Sequence, residues 1–306
     1  MRGFYKKYEV MRQWVNLYKR RIMQCGIVCL FLIGCVLIWG YSWKKPYITK
    51  TVLPVPTIEA SMKPSIQPTD TPFTIYKRPL LAKSDRYDIY LIGDSMTHAF
   101  GPRGGKFNEM LSSAYPGEFF EISNYAQANQ NILLLPQRLH ESVQADHDLL
   151  LQPILDGEPE VIIIESFGYN PLSQLGRTEG LKKQEEVLTD VMTTLTNRFP
   201  NTVITFLLTI APDKKTYGQK VTDSDADGRW TEAEERIEYI TNHRDYALEH
   251  NIPLINAYQE SLDVTGDGDT KYINPDDNIH PSEEGLSLMG RIMTKRIQEE
   301  KIFPQN

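Results

Sequence analysis

YLIGDSMTHAF, residues 90–100, is an apolar run that stops at Gly93-Asp94-Ser95 and carries a histidine three residues further on. Such a run, closed by small polar residues, predicts a buried strand followed by a turn. Ser95 then sits at the strand's tip, where a hydroxyl is either a turn residue or a nucleophile. Gly, Asp and Ser are ordinary turn residues. The distinction rests on whether the chain supplies a base, an orienting acid and oxyanion donors elsewhere.

Outward from this stretch the chain alternates. YDIYLIG (87–93) predicts a strand, GKFNEMLSSAY (105–115) a helix and EFFEISNYA (118–126) a second strand. Helical material is expected across 131–155. EVIIIESF (160–167) is a third strand, followed by a long amphipathic helix over 178–198 and the strand TVITFLLTI (202–210). A helix over about 231–250, the strand IPLINA (252–257) and a last helix over about 282–300 complete the series. Strands that are continuous apolar runs separated by helices predict a five-stranded parallel sheet covered on both faces, a three-layer α/β/α sandwich. Ligands in such folds bind beyond the carboxyl ends of the strands.

The residues at those ends are polar. Gly93-Asp94-Ser95 follows the first strand, NYAQANQN (124–131) the second and Gly168-Tyr169-Asn170 the third; DDNIHPSEEG, with Asp277 and His280, precedes the last helix. A serine hydroxyl becomes a nucleophile when an imidazole takes its proton, and the imidazole needs an acid to fix its tautomer. Asp277 and His280, three residues apart on one loop, can pair through the carboxylate and Nδ1, leaving Nε2 for Ser95. The Asn170 side-chain amide and backbone N–H groups of Ser95 and of the 126–129 loop can serve a developing oxyanion. His98 is expected after the turn and pointing away from Ser95, and His140, His147, His243 and His250, in charge-rich helices, are expected to be solvated.

With these blocks in hand, the chain resembles the SGNH (GDSL-type) hydrolase family over roughly 83–303. Gly93-Asp94-Ser95 matches its first block, Gly168-Tyr169-Asn170 its Gly-x-Asn block and Asp277-Asn278-Ile279-His280 its Asp-x-x-His block, in the family's order. The resemblance implies a flavodoxin-like sheet, with Ser95 as nucleophile, His280 as base, Asp277 as its orienter, and Ser95, Asn129 and Asn170 in the oxyanion hole. It departs at Asn129, where the family usually has glycine. An acyl ester is the implied substrate and no cofactor is required for the chemistry.

Two acidic stretches suggest structural calcium. DSDADGRWTEAE (223–234) fits the twelve-residue loop D-x-D-x-D-G-x₅-E, with Asp223, Asp225, Asp227, the Arg229 carbonyl and Glu234 as ligands. The alternative is an acidic loop entering a helix, with Thr231 and Glu234 as a capping box. DVTGDGDTKYIN (263–274) offers Asp263, Thr265, Asp267 and Asp269 but ends in Asn274 instead of Glu. It resembles the calcium loops of dockerin modules, and a cation there would stiffen the loop that bears His280.

Before the domain, IMQCGIVCLFLIGCVLIWGYSW (22–43) is free of charge, about 33 Å as a helix and enough to span a bilayer. Seven Lys/Arg precede it and only Lys44 and Lys45 follow closely, which predicts a cytoplasmic N-terminus and an exterior domain. The alternative is a lipoprotein: LIGC (32–35) resembles a bacterial lipobox, which would place a lipid on Cys35. The expected organisation is a basic cytoplasmic segment (1–21), a transmembrane anchor (22–43), a Pro-rich extracellular linker (44–80) and the catalytic domain (81–306).

The whole chain of 306 residues has a formal charge of −7. Since residues 1–45 are strongly basic, the body is acidic, which argues against a nucleic-acid partner. Its three cysteines all lie in the apolar stretch, so the body has no disulfide framework or cysteine zinc site. The resulting expectation is a serine esterase tethered outside the membrane, acting on acyl, in particular O-acetyl, esters such as those of cell-envelope glycans. An O-acyltransferase and a non-catalytic binding module on the same fold are the alternatives.

Overall fold

The computed structural model describes residues 73–304, apart from 147 and 148. The expected basic segment 1–21, the apolar span 22–43, Cys35 and the linker up to residue 72 lie outside the described residues. Among the described residues no helix is long and apolar enough to cross a membrane.

The sheet forms from the apolar runs. Strands β1 (Arg86–Ile92), β2 (Phe119–Asn124), β5 (Val161–Glu165), β6 (Val203–Leu208) and β7 (Leu254–Asn256) lie in the order β2-β1-β5-β6-β7, every neighbouring pair parallel. Two shorter strands, β3 (Val143–Asp146) and β4 (Leu149–Leu151), pair antiparallel with each other. Alternate residues of a strand point to opposite faces. Tyr87, Ile89 and Leu91 therefore join one core, Tyr90 and Ile92 the other.

Helices α2 (Gly105–Ala114) and α7 (Glu283–Glu299) cover the first face, contributing Phe107, Leu111, Leu288, Met289 and Met293. Helices α4 (Arg177–Arg198) and α5 (Ala226–Glu249) cover the second with Val187, Leu188, Met192, Tyr239 and Tyr246. Three very short helices lie between: α1 (Ser95–His98), α3 (Leu135–His140) and α6 (Ala257–Glu260). The three-layer sandwich is thus as expected. The strand order reverses between β1 and β5, and it is at such a crevice that α/β proteins place their ligands.

Three expectations change. The segment 131–155 is a short 3₁₀ turn, α3, the β3–β4 pair and a second 3₁₀ turn, not continuous helix. Pro136 is tolerated at the start of α3, and the apolar runs on either side of that helix are too short for their periodicity to separate strand from helix. Residues 73–80, read as linker, touch the domain: the Tyr76 hydroxyl accepts from Ile204 N and Tyr76 N donates to the His250 carbonyl. His243, expected in solvent, is fully buried. Its ring stacks on Phe206 at 4.1 Å and its Nε2 lies 3.2 Å from the Ile164 carbonyl. The signal was present, since residues 239, 240, 243, 246 and 247 form one helical stripe whose other members are apolar.

Candidate active site

The turn after β1 is built by close approach. A Cβ on Gly93 would lie 2.8 Å from Glu165 Cβ and 2.9 Å from Thr97 Oγ1, so only glycine lets β1 and β5 meet at their carboxyl ends. Asp94 then caps α1: its Oδ1 accepts from Met96 N at 2.9 Å. Ser95, the first residue of α1, is half-buried, whereas His98 at the end of α1 is exposed.

The Gly-x-Asn block turns sharply after β5. Phe167 has φ +54°, a strained value for a large side chain. It is held there by burial and by the Arg138 guanidinium 5.5 Å above its ring. Gly168 is required because a Cβ there would lie 2.4 Å from Ile240 Cγ1 of α5. The turn delivers Asn170, whose Nδ2 donates to Asp94 Oδ2 at 3.1 Å. An amide nitrogen carries two hydrogens, so one fixes the side chain and the other remains for a ligand.

The histidine loop is pinned by its backbone. Ile273 and Pro281 form an antiparallel bridge, and Asn274 N donates to the His280 carbonyl at 2.7 Å. Asp277 Oδ1 accepts from Ile279 N and His280 N, which leaves Oδ2 for His280 Nδ1 at 2.7 Å. Partial burial pushes the Asp277 carboxyl up. The His280 ring and the two backbone N–H groups outweigh it and hold the carboxyl below the usual value. An ionised Asp277 requires the proton on Nδ1, so Nε2 is the basic nitrogen.

The two halves of the site meet electrostatically: a proton taken up by His280 is felt at Asp94, next to Ser95. Among the described residues no hydrogen bond joins Ser95 to His280, a contact that is commonly long before substrate binds. Asn129 occupies an exposed turn with φ +57°. This is the left-handed region, natural to glycine and, after it, to asparagine, which accounts for asparagine in the glycine position.

Beneath the rim lie groups that the motifs do not name. Glu165 at the end of β5 and Arg138 of α3 are both buried. Arg138 Nη1 donates to the Gly93 carbonyl at 2.9 Å, and Glu165 accepts from Asp94 N and from Ser166 Oγ. The available signal was a lone charge at the end of an otherwise apolar central strand.

Neither acidic stretch forms the expected calcium loop. Asp225 is the N-cap of α5, its Oδ1 accepting from Gly228 N at 2.8 Å, so Asp227, Arg229 and Glu234 are helical and cannot wrap a cation with Asp223. Glu234 accepts from Trp230 Nε1, and Thr231 lies inside the helix instead of capping it. In 263–274 the oxygens are used by the chain. Asp263 Oδ1 accepts from Thr265 N, Thr265 Oγ1 and Asp267 N; Asp267 Oδ1 accepts from Lys214 N; Asp269 pairs with Lys271. Among the described residues no three His, Cys, Asp or Glu converge to hold a metal. The loop before His280 is stiffened by hydrogen bonds.

Comparison with known proteins agrees with this fold. Solved structures with the same fold include a lipase/acylhydrolase from Enterococcus faecalis (18% identity, TM-score 0.51, covering 72% of this chain and 99% of that one). An acetyl xylan esterase, AlAXEase, is similar (16% identity, TM-score 0.50, covering 69% and 99%). A search of curated proteins finds no match. Residues 91–288 match the GDSL-like lipase/acylhydrolase family. The match spans most of the domain, and the chain belongs to that family of enzymes acting on ester bonds.

Proposed function

We propose that this protein is a membrane-anchored serine esterase facing the cell exterior, removing small acyl groups, in particular acetyl, from envelope glycans through an acyl-enzyme. The observation that carries the catalytic reading is the 2.7 Å bond between His280 Nδ1 and Asp277 Oδ2, on a loop the backbone holds still. His280 Nε2 takes the proton of Ser95 Oγ as the oxygen attacks the ester carbonyl. Asn170 Nδ2 and the backbone N–H groups of Ser95 and Asn129 receive the oxyanion. Each such donor is worth about 3–4 kcal/mol in hydrolases of known mechanism. His280 then returns the proton to the leaving alcohol, and water, activated by the same nitrogen, releases the acid. Asp277 stays ionised throughout.

The anchor and the exterior orientation rest on the uncharged run 22–43 and the basic residues before it. The acetyl-glycan substrate is supported by a likeness of fold to a protein described as an acetyl xylan esterase. The test is hydrolysis of p-nitrophenyl acetate by the full chain beside Ser95→Ala. Loss of at least about 10³-fold in kcat is expected for a nucleophile. An unimpaired Ser95→Ala would sink the reading.

A further inference from the structure

Directly below the Gly93-Asp94-Ser95 turn, at the crevice where the strand order reverses, two carboxyl groups meet out of reach of water. Asp94 and Glu165 are both fully buried and lie side by side. Glu165 also accepts from Asp94 N at 3.2 Å and from Ser166 Oγ at 2.5 Å. The pair closes the gap between β1 and β5 that Gly93 leaves open.

Two adjacent carboxylates cannot both be charged in such a place, because burial and mutual repulsion favour one shared proton. The surroundings decide where it resides. Asp94 receives Met96 N–H on Oδ1 and the Asn170 amide on Oδ2. These contacts favour its anion. Among the described residues Glu165 accepts hydrogen bonds from the Ser166 hydroxyl and the Asp94 N–H alone, and burial pushes it well above the carboxylate range.

The other groups facing the pair are Arg138 from α3, whose charge is felt by both carboxyls, and the buried phenols of Tyr169 and Tyr217. One anion and one guanidinium leave the buried set neutral.

We infer that Glu165 is a positioning residue of this site: as a neutral acid it donates its proton to Asp94, and Asp94 in turn holds the Asn170 amide toward the oxyanion. The inference rests on the proposed roles of Ser95 and Asn170. Glu165 touches no reacting atom; it keeps Asp94 anionic and in place.

The test compares Glu165→Gln with Glu165→Leu in the full chain. A glutamine amide donates as the acid does. Its kcat for p-nitrophenyl acetate is expected within about threefold of the parent with an unchanged pH profile, whereas Glu165→Leu loses about 30- to 100-fold in kcat with KM little altered. In an Asn170→Ala background Glu165→Leu should add almost nothing, because the two act in one chain of contacts. Infrared spectra of protein with ¹³C-labelled glutamate should show a protonated carboxyl at neutral pH that Glu165→Gln removes.

The inference is overturned if Glu165→Gln is as impaired as Glu165→Leu, if the Leu and Asn170→Ala losses multiply, or if that protonated band is absent. Should Glu165→Leu not fold, Glu165→Gln and the infrared band still decide. Failure of the catalytic reading itself would show differently, as full activity in Ser95→Ala with the band unchanged.

Discussion

Two aspartates of the site, Asp94 and Asp277, sit in opposite settings. Asp94 is sealed under the rim against a second carboxyl, and burial raises its pKa. Asp277 is partly open to solvent, and its partners outweigh burial and lower it. One end of the site is thus a buried network built from two strand ends. The other is a half-buried loop that fixes a single Asp–His pair through its own backbone. Burial gives rigidity at the expense of charge, whereas the loop preserves charge and obtains rigidity from backbone hydrogen bonds. A base must keep exchanging protons, so the histidine belongs on the loop.

The contrast can be broken at several points, beginning with the strongest. Asp277→Asn keeps the shape of the loop but not the charge that sets the His280 tautomer; kcat should fall by about 10³- to 10⁴-fold with a folded protein by circular dichroism. An activity within tenfold of the parent would show that this loop pair is not what orients the base.

His243 extends the comparison to a buried base on the other face. Burial pushes it down to about 3. Its folded value lies below that of the unfolded chain, near 6.5, so the stability it contributes is full above that value and is lost as pH falls toward 3. The loss is on the order of 4–5 kcal/mol across the window. Urea unfolding between pH 7 and 4 should show a slope that His243→Phe flattens; an unchanged slope would assign acid sensitivity elsewhere.

Gly93→Ala attacks the buried end alone. The new methyl meets Glu165 Cβ at 2.8 Å, and overpacking of this kind costs about 1–3 kcal/mol. Activity should fall with stability, and an unaffected melting temperature would mean that β1 and β5 can move apart freely. The smallest effect is expected at Asp225→Ala, which removes the cap of α5 and should cost about 1 kcal/mol. Calcium should leave the melting temperature of parent and variant unchanged; a calcium-dependent rise in the parent would restore the loop reading.

How much of this was legible follows from where the physics was local. β5 and β6 read correctly because a strand covered on both faces must be apolar at every position. Ser95, Asn170, Asp277 and His280 stood out in the sequence because chemistry demands particular side chains at strand ends. Glu165 and Arg138 did not: their partners are the Gly93 turn and each other's field, which only the assembled crevice creates. Asp225 misled because one carboxylate before a glycine serves equally as a cation ligand and as a helix cap, and Ala226 onward preferred the helix.

The packing of α7 on α2 has a consequence in time. Gly290 brings the two helices so close that a Cβ would lie 3.2 Å from the Phe107 backbone, and the base sits just ahead of α7. Ser95 and its strand are therefore made early in synthesis, whereas His280 and the helix that seals the first face come last. Contacts between such distant parts of a chain are slow to form. A ribosome stalled before residue 277 would hold a nucleophile with no base, and the onset of ester cleavage would mark the moment the nascent domain is complete.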